Sequence, residues 1–308
     1  MPRPRTWPRA LATVEEAIPA DRVERVLAGM GKQGPASHAL VERGFAPPEL
    51  PTGFTLALLQ GQPRHPGAAP GEGAVAGGVW VREQWTLHAP VPLGIRLTLS
   101  GESLRSYVRR GREYTVTRSE TRDASGRLLV SNLTTGLQRY RADPDREDAE
   151  EGLAESALPV PEPDPAAAAS NPSQDALRAL RPGDRVQGEP VDMSLERLQR
   201  RDGPVPSNPI HSDPEAARRA GLDVPIAGGA HVVSFLQEIL LQAWGIEALF
   251  HGAHFDARWV SPVRAGALIV PRARVADVEP GRVELAFEVR CAEETACLGR
   301  VVIPVPAA

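Results

Sequence analysis

A histidine in a tight turn, a helix start beside it and a glycine pair further on are the residues of this chain whose types and spacing suit chemistry. The run is Pro206-Ser207-Asn208-Pro209-Ile210-His211-Ser212-Asp213. Asn208-Pro209 marks a turn and sets His211 on a short, stiff segment. Asp213 suits an N-cap, Pro214 the first helical position, Glu215 the first turn and Gly221 the stop, so the spacing predicts a short helix over 214–220. Ile226-Ala227-Gly228-Gly229 follow, then a helix over 230–244 with a wide apolar face of Val232, Val233, Phe235, Leu236, Ile239, Leu240 and Trp244. The glycines leave the first amides of that helix open. Such amides carry partial positive charge and can hold an enolate-like oxygen, while an imidazole moves protons near neutral pH. The same residues also fit a turn in which His211 caps or packs, and glycines that let a helix approach a sheet; spacing alone does not separate the two readings.

The elements around this stretch follow from period and punctuation. Residues 20–30 read as a helix, with Asp21 as cap, Val23, Val26, Leu27 and Met30 at helical spacing and Gly31 as stop. Residues 46–53 are proline-rich, Phe54 to Gln60 suits a buried helix, and 61–78 is loop. From residue 79 the period becomes two. Val79 to His88, Ile95 to Ser100, Tyr114 to Glu120 and Leu128 to Tyr140 read as strands, with a hairpin turn at Asp123-Ala124-Ser125-Gly126; residues 103–109 follow neither period. Pro182-Gly183-Asp184 starts a short strand and 193–201 looks helical. His254 to Val260, Leu268 to Val275, Val283 to Val289 and Leu298 to Val305 read as four further strands.

The two ends of the chain resemble each other. Ala89-Pro90-Val91-Pro92-Leu93-Gly94 parallels Ser261-Pro262-Val263-Arg264-Ala265-Gly266, Gly111-Arg112 parallels Gly281-Arg282, and Gly126-Arg127-Leu128 parallels Gly299-Arg300-Val301, all at offsets near 170 residues. The sequence therefore divides into an N-terminal domain over 1–141, an acidic Pro- and Ala-rich linker over 142–178 and a C-terminal domain over 179–308. Each repeat has a helical first part and an antiparallel sheet, an α+β class. Matching Gly44 to Gly221 and Pro48 to Pro225 puts Gly34 where His211 stands, so the first half has the scaffold without the histidine. His38 is not its equivalent, and His38, His65 and His88 read as loop or surface residues.

Composition sets bounds. The 308 residues are 42% hydrophobic, enough for two cores, and the formal charge of −4 offers no face for nucleic acid. Cys291 and Cys297 lack metal-ligand spacing and read as free thiols of a reducing compartment. The apolar run from Ala230 to Trp244 is short and carries Gln237 and Glu238, so no membrane span is expected. A cytoplasmic protein without metal or cofactor is the expectation.

Asn208-Pro209-Ile210-His211-Ser212-Asp213 with Ala216 and Ala217, and then Ile226-Ala227-Gly228-Gly229, resemble the signature of the MaoC-like (R)-specific enoyl-thioester hydratases and dehydratases. Phe255, Ser261-Pro262-Val263 and Gly266 resemble the strand that follows in that family. The resemblance covers residues 182–305 closely and 30–141 diffusely. It implies a double hotdog, two domains that each wrap an antiparallel sheet around a long helix. It implies His211 as the catalytic histidine, Gly229 with Gly228 at the thioester oxygen, and Asn208 as the residue that shapes the turn. The family motif carries an Asp where this chain has Pro206, and a His-Gly where it has Gly228-Gly229. Asp202, four residues upstream, is the candidate replacement for the missing carboxylate; His231, His251 and His254 are further candidates that also suit structural roles. Three functions follow from the resemblance: hydration or dehydration of 2-enoyl and 3-hydroxyacyl thioesters of coenzyme A or acyl carrier protein, a cyclisation by internal conjugate addition, or acyl binding without turnover. A monomer or a homodimer fits the double domain.

Overall fold

In the computed structural model the described residues are 6–11, 13–50, 78–138, 140–157, 174–204, 206 and 208–305. The chain opens with two short strands, β1 (Arg9–Ala10) and β2 (Val14–Glu16), and the helix α1 (Ala20–Met30). Val23, Val26 and Met30 point one face of α1 into the core. Its N-cap is Pro19, not the expected Asp21, which lies in the first turn and pairs with Arg25 one turn on at 2.7 Å. Helix α2 (Pro35–Glu42) follows. The buried helix expected over Phe54 to Gln60 lies outside the described residues, as does most of the loop expected over 61–78.

Four long strands come next: β3 (Val79–Leu87), β4 (Leu97–Arg109), β5 (Arg112–Arg122) and β6 (Leu128–Leu137). The residues that followed neither period are the second part of β4. The register slips between Ser103 and Arg105, which puts the side-chain alternation out of phase along one strand. Within the stretch expected as linker, β7 (Ala149–Gly152) pairs with β4, and Leu153 packs on a separate apolar cluster of Leu104, Val116 and Leu133. A short helix α3 (Gln174–Arg178) leads into β8 (Arg185–Gln187), β9 (Val191–Met193) and helix α4 (Leu195–Asp202). The predicted short helix is α5 (Pro214–Arg219), with the Asp213 carboxylate accepting from the Glu215 N–H at 2.8 Å. The long helix is α6 (Gly229–Trp244), and four strands finish the chain: β10 (Ala253–Trp259), β11 (Ala267–Glu279), β12 (Gly281–Cys291) and β13 (Glu294–Val305). Among the described residues no helix is long and apolar enough to cross a membrane. Cys291 and Cys297 are free thiols, as expected.

The strands form one sheet in the order β1-β4-β5-β6-β3-β10-β13-β12-β11-β8. The order reads the same from both sides of its centre: β3, β6, β5, β4 on one side and β10, β13, β12, β11 on the other. The repeats therefore meet edge to edge, with Trp85 of β3 paired to Phe255 of β10 and their rings stacked 4.6 Å apart. Joining the two edges leaves neither half with an unpaired central strand. Helix α6 is buried along most of its length against this sheet.

The ladder also corrects one sequence match. Ala46 N–H bonds the Val91 carbonyl at 2.8 Å as Ala227 N–H bonds the Val263 carbonyl at 2.8 Å, and Leu93 N–H bonds Gly44 as Ala265 N–H bonds Pro225. Ala46 is thus the counterpart of Ala227, and Pro47-Pro48, not a loop position near Pro225, corresponds to Gly228-Gly229. Gly44 and Gly221 remain equivalent at the ends of α2 and α5, at φ 81° and 90°. The second half has an insertion between that glycine and the ladder.

Candidate active site

The turn that holds His211 is tied down at both ends. Asn208 is extended, a single 3-10 turn spans Pro209–His211, and the Asp213 N–H closes back on the Pro209 carbonyl at 2.8 Å. Asn208 Nδ2 donates to the Gly78 carbonyl at 2.8 Å, which fastens the turn to the start of β3 in the other half. Asn208 is therefore a brace, and its Nδ2 also lies 3.5 Å from His211 Nε2.

His211 Nδ1 lies 2.8 Å from the Ile226 carbonyl. A carbonyl only accepts, so Nδ1 carries the proton and Nε2 keeps its lone pair. Nε2 faces Gly228, 3.7 Å from where a Cβ there would stand. Burial pushes the imidazole pKa below its usual 6.5; the Asp202 carboxylate and the Ile226 carbonyl pull it back up, and Arg201 pushes it down. The ring is neutral at pH 7, with a basic nitrogen aimed into the site.

That site is a cavity of about 280 Å³ between the two halves. His211, Asp202, Asn208, Gly228, Gly229 and Trp259 line it from the second half; Arg22, Gly78 to Val81 and Tyr140 line it from the first. Asp202 ends α4, and Gly203 at φ 75° turns the chain away; a Cβ there would come within 2.5 Å of Arg25. Asp202 Oδ2 is buried with no hydrogen-bond partner among the described residues. Its Oδ1 lies 3.9 Å from Arg201, whose guanidinium is held by Glu49 of the first half, with Nε at 2.7 Å. An unmatched buried carboxylate oxygen is costly, and it faces the same space as the imidazole. Pro206 is half-buried and has no acid to offer.

Gly228 is the N-cap of α6 and Gly229 its first residue. The first hydrogen bond of the helix runs from Val232 N–H to Gly228 O at 3.1 Å, so the amides of Gly229, Ala230 and His231 precede the helical ladder. The Trp259 indole packs against Gly229, where a Cβ would lie 3.0 Å from the ring. The second glycine is thus a close-packing residue and an open amide at once. Trp259 Nε1 is buried without a partner among the described residues.

The other histidines stand apart from this chemistry. His231 reaches the cavity wall but bonds the Gly29 carbonyl at 3.2 Å, and burial lowers its pKa to about 4. His254 bonds Thr86 across the central strand pair at 3.0 Å, and burial lowers it to about 4. His251 lies 3.8 Å from Glu247. His38 is exposed and His88 bonds Ser131; His65 lies outside the described residues. Sequence reasoning missed Trp259, Arg201 and Glu49. Trp259 sits two residues before Ser261-Pro262 in a strand already singled out; Glu49 carries no local signal, because only the fold brings it to Arg201. Among the described residues no group of three or more His, Cys, Asp or Glu side chains is placed to hold a metal.

Comparison with known proteins bears on the fold that carries this cavity. Residues 206–296 match the profile of the MaoC like domain. Curated protein sequences give no match. A solved structure of a MaoC-like dehydratase superposes with a TM-score of 0.68 at 16% identity, over 97% of this chain and 98% of that one. The full-length peroxisomal multifunctional enzyme type 2 of Drosophila melanogaster gives a TM-score of 0.63 at 20% identity, over 96% of this chain and 48% of that one. A conserved hypothetical protein of Mycobacterium tuberculosis, described as a double hotdog, gives 0.58 at 12% identity over 96% of each chain. The molecule is a double hotdog, and its second half carries a MaoC-like domain.

Proposed function

We propose that this protein adds water to, or removes it from, the 2,3 bond of an acyl thioester carried by coenzyme A or an acyl carrier protein. The observation that carries the reading is the juxtaposition of a neutral His211, its Nε2 lone pair met at long range by Asn208 Nδ2 at 3.5 Å, with the unmatched Asp202 oxygen in one cavity at the start of α6. In the hydration direction a water between the two groups donates one proton towards Nε2 and the other towards Asp202. Its oxygen bonds C3 of the enoyl group as its proton passes to Nε2. The electron pair of the 2,3 bond moves onto the thioester oxygen, held by the Gly229 amide. The imidazolium, stabilised by the Asp202 carboxylate, then returns the proton to C2 and the thioester carbonyl re-forms. Dehydration is the reverse. Asp202 thus does the work for which a carboxylate at position 206 was expected.

The test is hydration of a series of 2-enoyl coenzyme A thioesters, followed by loss of the conjugated absorbance. His211→Ala costs roughly 10²–10⁴ in turnover, and Asp202→Asn about 10² at the lower end of the same range. Asp202 raises the His211 pKa, and activity requires the neutral ring, so Asp202→Asn also moves the acid limb of the pH profile to lower pH. Wild type and His211→Ala equally inert across the series ends the proposal.

A further inference from the structure

We infer that the cavity leads on to a polar subsite at Glu83, and that the acyl group taken here carries a hydroxyl or carbonyl oxygen along its chain. The inference rests on the acyl-thioester reading above and names the substrate class of that same site. Val81 of β3 and Trp259 of β10 line the cavity. Strand β3 slips by one residue at Val81, but β10 runs on regularly, and Ala257, two residues from Trp259 and about 7 Å away at the rise of a strand, is the partner of Glu83. Arg82 pairs with Asp256 on the opposite face, at 2.8 and 2.9 Å, so Glu83 shares its face with Trp85 and the core. Across the central strand pair Glu83 stands opposite Ala257, which brings only a methyl group to that row, while β6 places Thr134 on its other side.

Glu83 is 1% exposed, Asn132 and Thr134 each 2%. Asn132 Nδ2 and Thr134 Oγ1 both reach Glu83 Oε1, but at 3.4 Å, the long end of hydrogen bonding. Asn132 Oδ1 and Trp85 Nε1, on directly paired residues of β6 and β3, have no partner among the described residues. One row of the first half thus holds a buried acceptor, a buried donor and a carboxyl, all poorly satisfied. Burial raises the Glu83 pKa to about 8, against the Thr134 hydrogen bond that lowers it. At neutral pH the group is therefore the neutral acid, able to donate and to accept. An alkyl chain laid past this row would leave these groups unmatched, whereas an oxygen function would pair with them. Sites built to hydrogen-bond a substrate oxygen reject the analogue that lacks it far more strongly than apolar pockets reject an extra methylene.

The experiment measures binding apart from turnover. Saturated acyl thioesters of phosphopantetheine, which have no 2,3 double bond to react, are titrated calorimetrically in pairs, plain and ω-hydroxylated, over increasing chain length. In the wild-type protein one length of hydroxyacyl thioester binds about tenfold or more tightly than its plain partner, the worth of one well-made buried hydrogen bond. Glu83→Leu removes or inverts that preference while the plain chain binds at least as well as before. Glu83→Gln keeps the shape and part of the polarity and falls between them, which serves if Glu83→Leu fails to fold. Plain chains that bind wild type as tightly as every hydroxylated partner overturn the subsite. Selective binding without hydration of any 2-enoyl thioester overturns the reaction proposed above and leaves the subsite standing; hydration without selectivity does the reverse.

Discussion

The two halves of this molecule share a ladder and differ around the candidate site. Gly34 caps α2 where Asp213 caps α5, the 3-10 turn before it, Gly31–Gln33, ends in Gln33 where Pro209–His211 ends in the histidine, and Pro47-Pro48 stand where Gly228-Gly229 open α6. A proline has no N–H, so the first half lacks the amide donor as well as the base. What the first half keeps is structural reach. Its Gly78 carbonyl braces the histidine turn, its β3 walls the cavity, and its Glu49 holds the arginine beside Asp202. The second half answers in kind. Glu238 of α6, buried at 1% exposure, accepts from the Ala36 and Ser37 amides at 2.6 and 3.0 Å and from the Ser37 hydroxyl at 2.6 Å, and so caps α2. Asp213 caps the counterpart helix locally. The second half holds the candidate site residues and the first supports them, and neither the cap of α2 nor the cavity is complete within a single half.

The comparison can be broken directly. Gly229→Pro copies the first half into the second, removing the amide at a helix position that tolerates proline. Turnover of a 2-enoyl thioester falls roughly 10²–10³-fold, the cost of an oxyanion donor. The Trp259 ring must shift by a few tenths of an ångström to admit the new ring, so the melting midpoint is read alongside. A Gly229→Pro protein with full activity would remove the contrast between the halves. Glu238→Ala tests the support in the other direction. It strips the acceptor from two buried amides and a hydroxyl at the start of α2, and lowers stability by about 3 kcal/mol, seen as a drop in melting temperature of several degrees. An unchanged midpoint means that the halves do not lean on each other there.

The smallest effect is on pH dependence. His211, His231 and His254 all have folded pKa values below the usual 6.5, the last two about 4, with burial the main cause. The unfolded chain binds protons that the folded chain refuses, so their contribution to stability is complete above pH 6.5 and is lost as pH falls towards 4. Glu83 runs the other way. Its folded pKa of about 8 lies above the model-peptide value of about 4.3, so its contribution is present below the unfolded value and is lost as pH rises through 8. Melting midpoints between pH 4 and 9 fall at both ends in the wild type. Glu83→Gln steepens the acid side and flattens the alkaline side; an unchanged curve means that the carboxyl is not held neutral.

Much of this architecture is legible in local sequence. Helix ends are set within a turn by cap residues, so Asp213-Pro214 and Gly221 place α5 without knowledge of anything distant. Strand faces alternate, so most of β10 to β13 can be read from their own residues, although β11 and β13 each slip by one residue, at Ala276 and Ala296. The second part of β4 is not legible, because a register slip near Leu104 shifts the alternation and Leu153 covers a second face. Asp21 looked like a cap by type, yet the chain enters α1 from Pro19 and leaves that aspartate to an ion pair.

Alone, the sequence determined the duplication, the His211 turn and the open helix start, because each rests on contacts between near neighbours. The tertiary structure brought Asp202 and His211 to the wall of one cavity. Spacing from position 206 made Asp202 a candidate, but it ends a charged helix and reaches the cavity only because α4 docks and Gly203 turns there. The same holds for Glu49, Glu83 and Trp259. Their neighbours lie in other elements, and a side chain's chemistry is set by what surrounds it in space.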